Sequence, residues 1–162
     1  MKTICLYFEI HQIIHLKRYR FFDIGTDHYY YDDYENERSI SDIVERSYIP
    51  ALNTLHDMIK ENGNYFKVAF SLSGTGIEQL EMHAPQVITK LQEMNETGCV
   101  EFLAEPYSHG LSSLANPETF ALDVKKQAAK IEELFGKKPT VARNSSLIYS
   151  DDIGANRRSE ER

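Results

Sequence analysis

Four short β-type runs alternate with three amphipathic helical patterns, and this order restricts the fold more tightly than any other feature of the chain. The runs cover residues 3–9 ("TICLYFE"), 66–71, 99–103 ("CVEFL") and 139–146 ("PTVARNSS"). Between the first two, Ile40, Ile43, Val44, Leu52, Leu55 and Ile59 recur at helical spacing. Ser39 or Ser41 is the expected cap, and "NGN" at 62–64 the stop. Pro50 must kink this helix or open its main part, because an interior proline costs about 3 kcal/mol. The second pattern carries Ile77, Leu80, Ala84, Val87, Ile88 and Leu91, with a break at Pro85. The third opens on Asn116–Pro117, a capping side chain followed by proline at the first helical position, and closes on Gly136. Strands that alternate with helices pair in parallel through right-handed crossovers, so the class is α/β.

A chain of 162 residues suits one domain that buries roughly two thirds of its unfolded surface. The net charge of −7 argues against a nucleic-acid partner, which calls for a basic surface. The apolar run near the N-terminus is too short for a signal-peptide core. No stretch reaches the roughly 18 apolar residues of a membrane span. Cys5 and Cys99 each fall in a strand-like run and read as buried free thiols, which places the protein in the cytoplasm. No cofactor is expected. After the first strand the chain reads His11–Gln12 rather than G-x-G-x-x-G, and "SGTG" at 73–76 is too short for a phosphate loop.

Parallel α/β sheets present their functional residues at the C-terminal strand ends. Those ends carry "EIHQ" (9–12), "SLSGTG" (71–76), "EFLAEPYSHG" (101–110) and "RNSSLIYSDD" (143–152). Glu9, Glu101 and Glu105 are the candidate carboxylates for acid–base work or hydroxyl binding. His11 and His109, with a loop aspartate, could hold a metal, although their spacing is not diagnostic. Residues 11–39 form a long connection with seven aromatics between Tyr19 and Tyr34. Aromatic faces beside acidic and hydroxyl groups suit a sugar ring, and the same rings can equally form the loop's own small core.

The stretches "LYFEIHQ", "LKRYRFFDIGTDHYYYDD", "GCVEFLAEPYSHGLSSL" and "ARNSSLIYSDDIG" together resemble the N-terminal part of glycoside hydrolase family 57, most closely its bacterial α-amylase-like members. The resemblance runs from about Lys2 to Gly154. It implies parallel β/α units forming the first half of an incomplete seven-stranded (β/α) barrel that acts on α-glucans with retention. It also implies substrate-binding roles for His11 and Gln12 in the first motif, where Ile13 replaces the family's proline. Glu101, three residues after Gly98, carries the second. In the third motif, Arg143-Asn144-Ser145-Ser146-Leu147-Ile148-Tyr149, Ser146 stands where the family has its nucleophilic glutamate. A retaining glycosidase needs two carboxyl groups about 5 Å apart. A neutral hydroxyl cannot stabilise the developing oxocarbenium charge, so no intact catalytic set is expected. The family's acid is an aspartate further along.

The expected organisation is a family 57-like barrel portion over residues 1–154 and a charged, disordered tail over 155–162, "ANRRSEER", read as the mark of a truncated product. The expected ligand is an α-glucan or maltooligosaccharide. Three readings follow: an inactive α-amylase-like fragment, a non-catalytic α-glucan-binding relic, and a metal-dependent deacetylase-like hydrolase using His11 and His109.

Overall fold

The computed structural model describes residues 4–158. Three parallel strands, β1 (Tyr7–Ile10), β2 (Val68–Leu72) and β3 (Val100–Leu103), pair in the order β1-β2-β3. The register sets Glu9 beside Ser71 and Ser71 beside Leu103. One face therefore carries Tyr7, Glu9, Ala69, Ser71, Glu101 and Leu103, and the other carries Phe8, Phe70 and Phe102. The second face is packed by helices. Phe70 stacks toward Phe102 at 6.3 Å between ring centroids, and Phe102 lies on Phe135 at 3.9 Å. The core continues through Leu72, Ile77, Leu80, Val87, Leu91, Met94 and Ile131, all buried. Fully burying side chains of this size stabilises by about 1.5–3 kcal/mol each.

The helices follow the sequence pattern with shifted starts. The first, α1 (Asp33–Ile43), begins upstream of the expected serines, because the Asp32 side chain accepts a hydrogen bond from Glu35 N at 3.0 Å. A π-helical turn, Val44–Tyr48, carries the chain without interruption into α2 (Ile49–Asn62). Pro50 sits in the first turn of α2, where its missing N–H disrupts little, so the expected kink takes the form of the π turn. Ser73 caps α3 (Gly74–His83), Pro85 opens α4 (Pro85–Glu96), and a short α5 (Ser112–Ala115) precedes α6 (Pro117–Phe135). Asn116 caps α6 through Thr119 N at 3.1 Å, and Gly136 ends it in the left-handed conformation, φ 70°.

The fourth strand is reduced to one rung. Ala104 N donates to Val141 O at 2.9 Å, and Arg143 N donates to Ala104 O at 2.8 Å, an isolated parallel bridge between Ala104 and Ala142. Pro139 has no N–H to give, and residues 145–147 already turn as a 3-10 helix, leaving space for a single rung. The architecture is that of parallel β/α units forming part of a barrel. The last helix, α7 (Asp151–Arg158), runs into the stretch expected to form a tail; residues 159–162 lie outside those described. Cys5 is exposed, against the expectation of burial, whereas Cys99 is buried, and both are free. Among the described residues, no helix is long and apolar enough to cross a membrane.

Candidate functional site

The strand ends converge on one guanidinium. Arg143, just after the Ala104–Ala142 rung, places Nη1 2.8 Å from Glu9 Oε1 and 2.9 Å from Glu105 Oε2, with Nη2 2.7 Å from Glu9 Oε2. Glu105 is fully buried. Burial raises its pKa, opposed by His109, by the nearby Ser71 hydroxyl (which falls short of hydrogen-bond geometry) and by Arg143. His109 closes the cluster, with Nε2 3.2 Å from Glu9 Oε1 and Nδ1 3.4 Å from Glu105 Oε2. Its backbone lies at φ 51°, a region that costs a non-glycine residue free energy and collects at functional sites. The Arg143 guanidinium also lies 5.4 Å from the centroid of the Tyr7 ring.

His11 lies beside this cluster. Its ring stacks on His109 at 4.3 Å and 21°, and Nδ1 is 2.7 Å from Ser73 Oγ, the same hydroxyl that caps α3 by accepting from Gly76 N. Burial, then the neighbouring His109, lower the His11 pKa; Glu9 opposes them. The imidazole is thus held toward its neutral form, able to accept or donate one hydrogen bond. The "SGTG" glycines serve packing. A Cβ on Gly74 would overlap the Tyr107 ring, and one on Gly76 would come within 3.2 Å of Ile10 O. Gln12 donates from Nε2 to the Tyr48 hydroxyl at 3.1 Å, and it is the π turn that carries Tyr48.

The sequence-derived residues separate into two groups. His11 and Gln12 stand at the strand ends beside Glu9, Glu105 and His109. Glu101 lies on the same sheet face but level with Tyr7, one pleat below Glu9 and two below Glu105. It is exposed and lines a separate hollow of about 660 Å³ with Tyr7, Ala69, Leu103 and Val141. Ser146 is exposed, with φ 54°, followed by Leu147 at φ 56°, and it makes no hydrogen bond to the cluster. Its neighbour Ser145 is fully buried.

Three groups in the cluster, Glu9, Glu105 and His109, bring potential metal-ligand atoms within 4.8 Å of one another. A cation could use them only by displacing Arg143, which already bonds both carboxylates. His11 and His109 stack face to face, so their in-plane lone pairs do not converge on a common point. Tyr48 escapes sequence reasoning, which sets Arg143 at a functional strand end and in the third motif without a role of its own. Strand alternation could have put Glu9 and Glu105 on one face, since Phe8 and Phe102 mark the other. Nothing local connects Arg143 to a carboxylate 134 positions away.

The sequence pattern of Glycosyl hydrolase family 57 matches residues 5–157. A Methanocaldococcus jannaschii protein named "Putative alpha-amylase" is 33% identical over 125 residues, 76% of this chain and 26% of that protein. The chain therefore spans about a quarter of the length of the curated relative it matches. The fold resembles the crystal structure of a 4-alpha-glucanotransferase from Thermococcus litoralis, with a TM-score of 0.66 and 16% identity, covering 76% of this chain and 19% of that one. It also resembles a GH57 branching enzyme from Thermococcus kodakaraensis, with a TM-score of 0.54 and 16% identity over 87% of this chain and 32% of that one. The structural likenesses speak for the fold, and the pattern match covers nearly all of the described residues. The chain belongs to glycosyl hydrolase family 57.

Proposed function

We propose that this chain is an α-amylase-like family 57 unit that binds an α-glucan at its strand ends and, as it stands, does not turn it over. The observation that carries the binding half is the group of His11, His109 and Glu9, partly exposed where parallel strands end and held from behind by the buried Glu105 and by Arg143. Sugar hydroxyls donate hydrogen bonds to a carboxylate such as Glu9 and can exchange them with an imidazole nitrogen. His11 and Gln12 supply further contacts in this reading. Glu101 would meet a chain that continues down the inner face of the sheet.

The inactive half rests on Ser146. Where the family resemblance places a carboxylate nucleophile, a hydroxyl without a neighbouring base is a poor substitute. Loss of such a group removes several orders of magnitude of rate.

Calorimetry with maltoheptaose, alongside a reducing-end assay on soluble starch, tests both halves. Heat of binding without release of reducing ends is the expected result. Turnover above a vector-only control overturns the inactive half, and absence of heat at millimolar ligand, with the chain shown to be folded, overturns the binding half.

A further inference from the structure

A second concavity lies away from the strand ends, between the aromatic connection and α3. Its volume is about 220 Å³, below the usual range for drug-sized ligands and of the order of one small ring. Tyr29 and Tyr31 form one wall, edge to face at 5.8 Å and 78°. Asn36 and Gln79, 4% and 5% exposed, form a buried amide floor. Asp33 and Glu78 also line it.

The hydrogen bonds within this pocket leave acceptors over. Asn36 is held to the backbone at His15: its Oδ1 accepts from His15 N at 2.7 Å and its Nδ2 donates one N–H to His15 O at 3.2 Å. Gln79 donates to Asn36 Oδ1 at 3.4 Å, and its own carbonyl oxygen has no partner among the described residues. Asp33 accepts from the Tyr29 hydroxyl at 2.6 Å, and Glu78 from the Tyr107 hydroxyl at 2.5 Å, each through one oxygen. The second oxygen of each carboxylate accepts no hydrogen bond among the described residues, and both residues are exposed, so these oxygens are open to a ligand. No lysine or arginine lines the pocket.

Unused acceptors beside aromatic faces call for a ligand that offers O–H or N–H donors and an apolar ring surface. Two carboxylates, with His83 as the one basic side chain in the lining, disfavour an anion. An organic ammonium would meet a competitor, because Lys17 Nζ already lies 4.7 Å from the Tyr29 centroid. The tyrosine hydroxyls also take up part of each carboxylate's charge. A neutral polyhydroxylated ring has no charge for the carboxylates to repel or for Lys17 to compete with, and the Tyr31 ring has no cation over it among the described residues.

We propose that this pocket is a second carbohydrate site that takes a single hexose ring of an α-glucan. The choice of an α-glucan rests on the function proposed above; the chemistry of the pocket does not. Tyr31 packs against the C–H face of the ring, Tyr29 closes the wall at right angles to it, and Gln79, Asp33 and Glu78 accept from its hydroxyls.

Nuclear magnetic resonance on the full chain tests this, reading the Asn36 and Gln79 side-chain amides and the His11 ring during titration with maltose. Maltose is expected to shift the Gln79 amide saturably, with little dependence on salt. Tyr31→Ala is expected to weaken that response about tenfold while leaving the His11 response intact. Asp33→Asn, which keeps an acceptor, is expected to weaken it by less. An unmoved Gln79 amide at about 50 mM maltose overturns the site. So does an equal response in Tyr31→Ala, or a response to putrescine alone that fades with salt. Loss of the His11 response with the Gln79 response retained sinks only the strand-end reading.

Discussion

Arg143 Nη1 lies 2.9 Å from an oxygen of Glu105, a carboxylate with no solvent exposure. Removing the guanidinium leaves a buried acid without its cation, which costs about 3–5 kcal/mol. Arg143→Met is therefore expected to lower the urea midpoint strongly. Arg143→Met combined with Glu105→Gln should recover much of the loss. A double variant no more stable than Arg143→Met alone would show that the pair does not act as a unit.

Glu105 also gives stability a pH dependence of defined sign. Burial raises its native pKa, so above the ordinary carboxyl value the native state holds a proton that the unfolded state has released. Its contribution is greatest below the unfolded pKa and is lost as pH rises through the raised native value. Glu105→Gln is expected to flatten that decline in denaturant titrations run from acid to neutral pH.

His11 behaves in the opposite sense. Its native pKa is lowered, so its contribution is complete above the ordinary value of about 6.5 and is lost as pH falls through the native one. The ring resonances of His11 should titrate below the ordinary histidine midpoint. Ser73→Ala, which removes the 2.7 Å partner of Nδ1, should change the ring's tautomer balance. A His11 midpoint at or above that of a free histidine contradicts the geometry described here.

Ser146→Glu alone is expected to yield no measurable hydrolysis of maltooligosaccharides. Residue 146 occupies a left-handed, exposed turn at φ 54°, which a glutamate adopts at a cost of about 1–2 kcal/mol. The assay is release of reducing ends against the Ser146 protein. A clear gain of turnover would falsify the view that one restored carboxylate is insufficient.

Gly74 and Gly110 form an internal pair of controls. A methyl on Gly74 would overlap the Tyr107 ring, whereas one on Gly110 meets nothing within 4 Å. Gly74→Ala should cost about 1–3 kcal/mol through overpacking. Gly110→Ala should leave the melting temperature almost unchanged.

Much of this was legible residue by residue. Asn116, Pro117 and Gly136 announce α6 because capping, a fixed φ and a left-handed stop are local effects that need no tertiary partner. The helix starts at Pro85 and near Asp32 depend on equally short-range chemistry, and the second went to the aspartate because its carboxylate reaches Glu35 N. Alternating strand and helix patterns likewise imply parallel pairing, since a crossover helix returns the chain to the same end of the sheet.

The fourth strand and the site were decided elsewhere. Whether residues 139–146 make a full strand or one rung depends on what Ala104 can reach, and here the chain turns away at Ser145. In a flat sheet β1 and the 141–143 segment would stand about 14 Å apart, three strand spacings of nearly 5 Å. Curvature toward a barrel, together with long side chains, closes that gap until Glu9 and Arg143 touch. A stretch of sequence encodes its own caps, turns and apolar faces, because those interactions span a few residues. It does not encode which distant charge will share a buried carboxylate, because that depends on how the whole sheet bends.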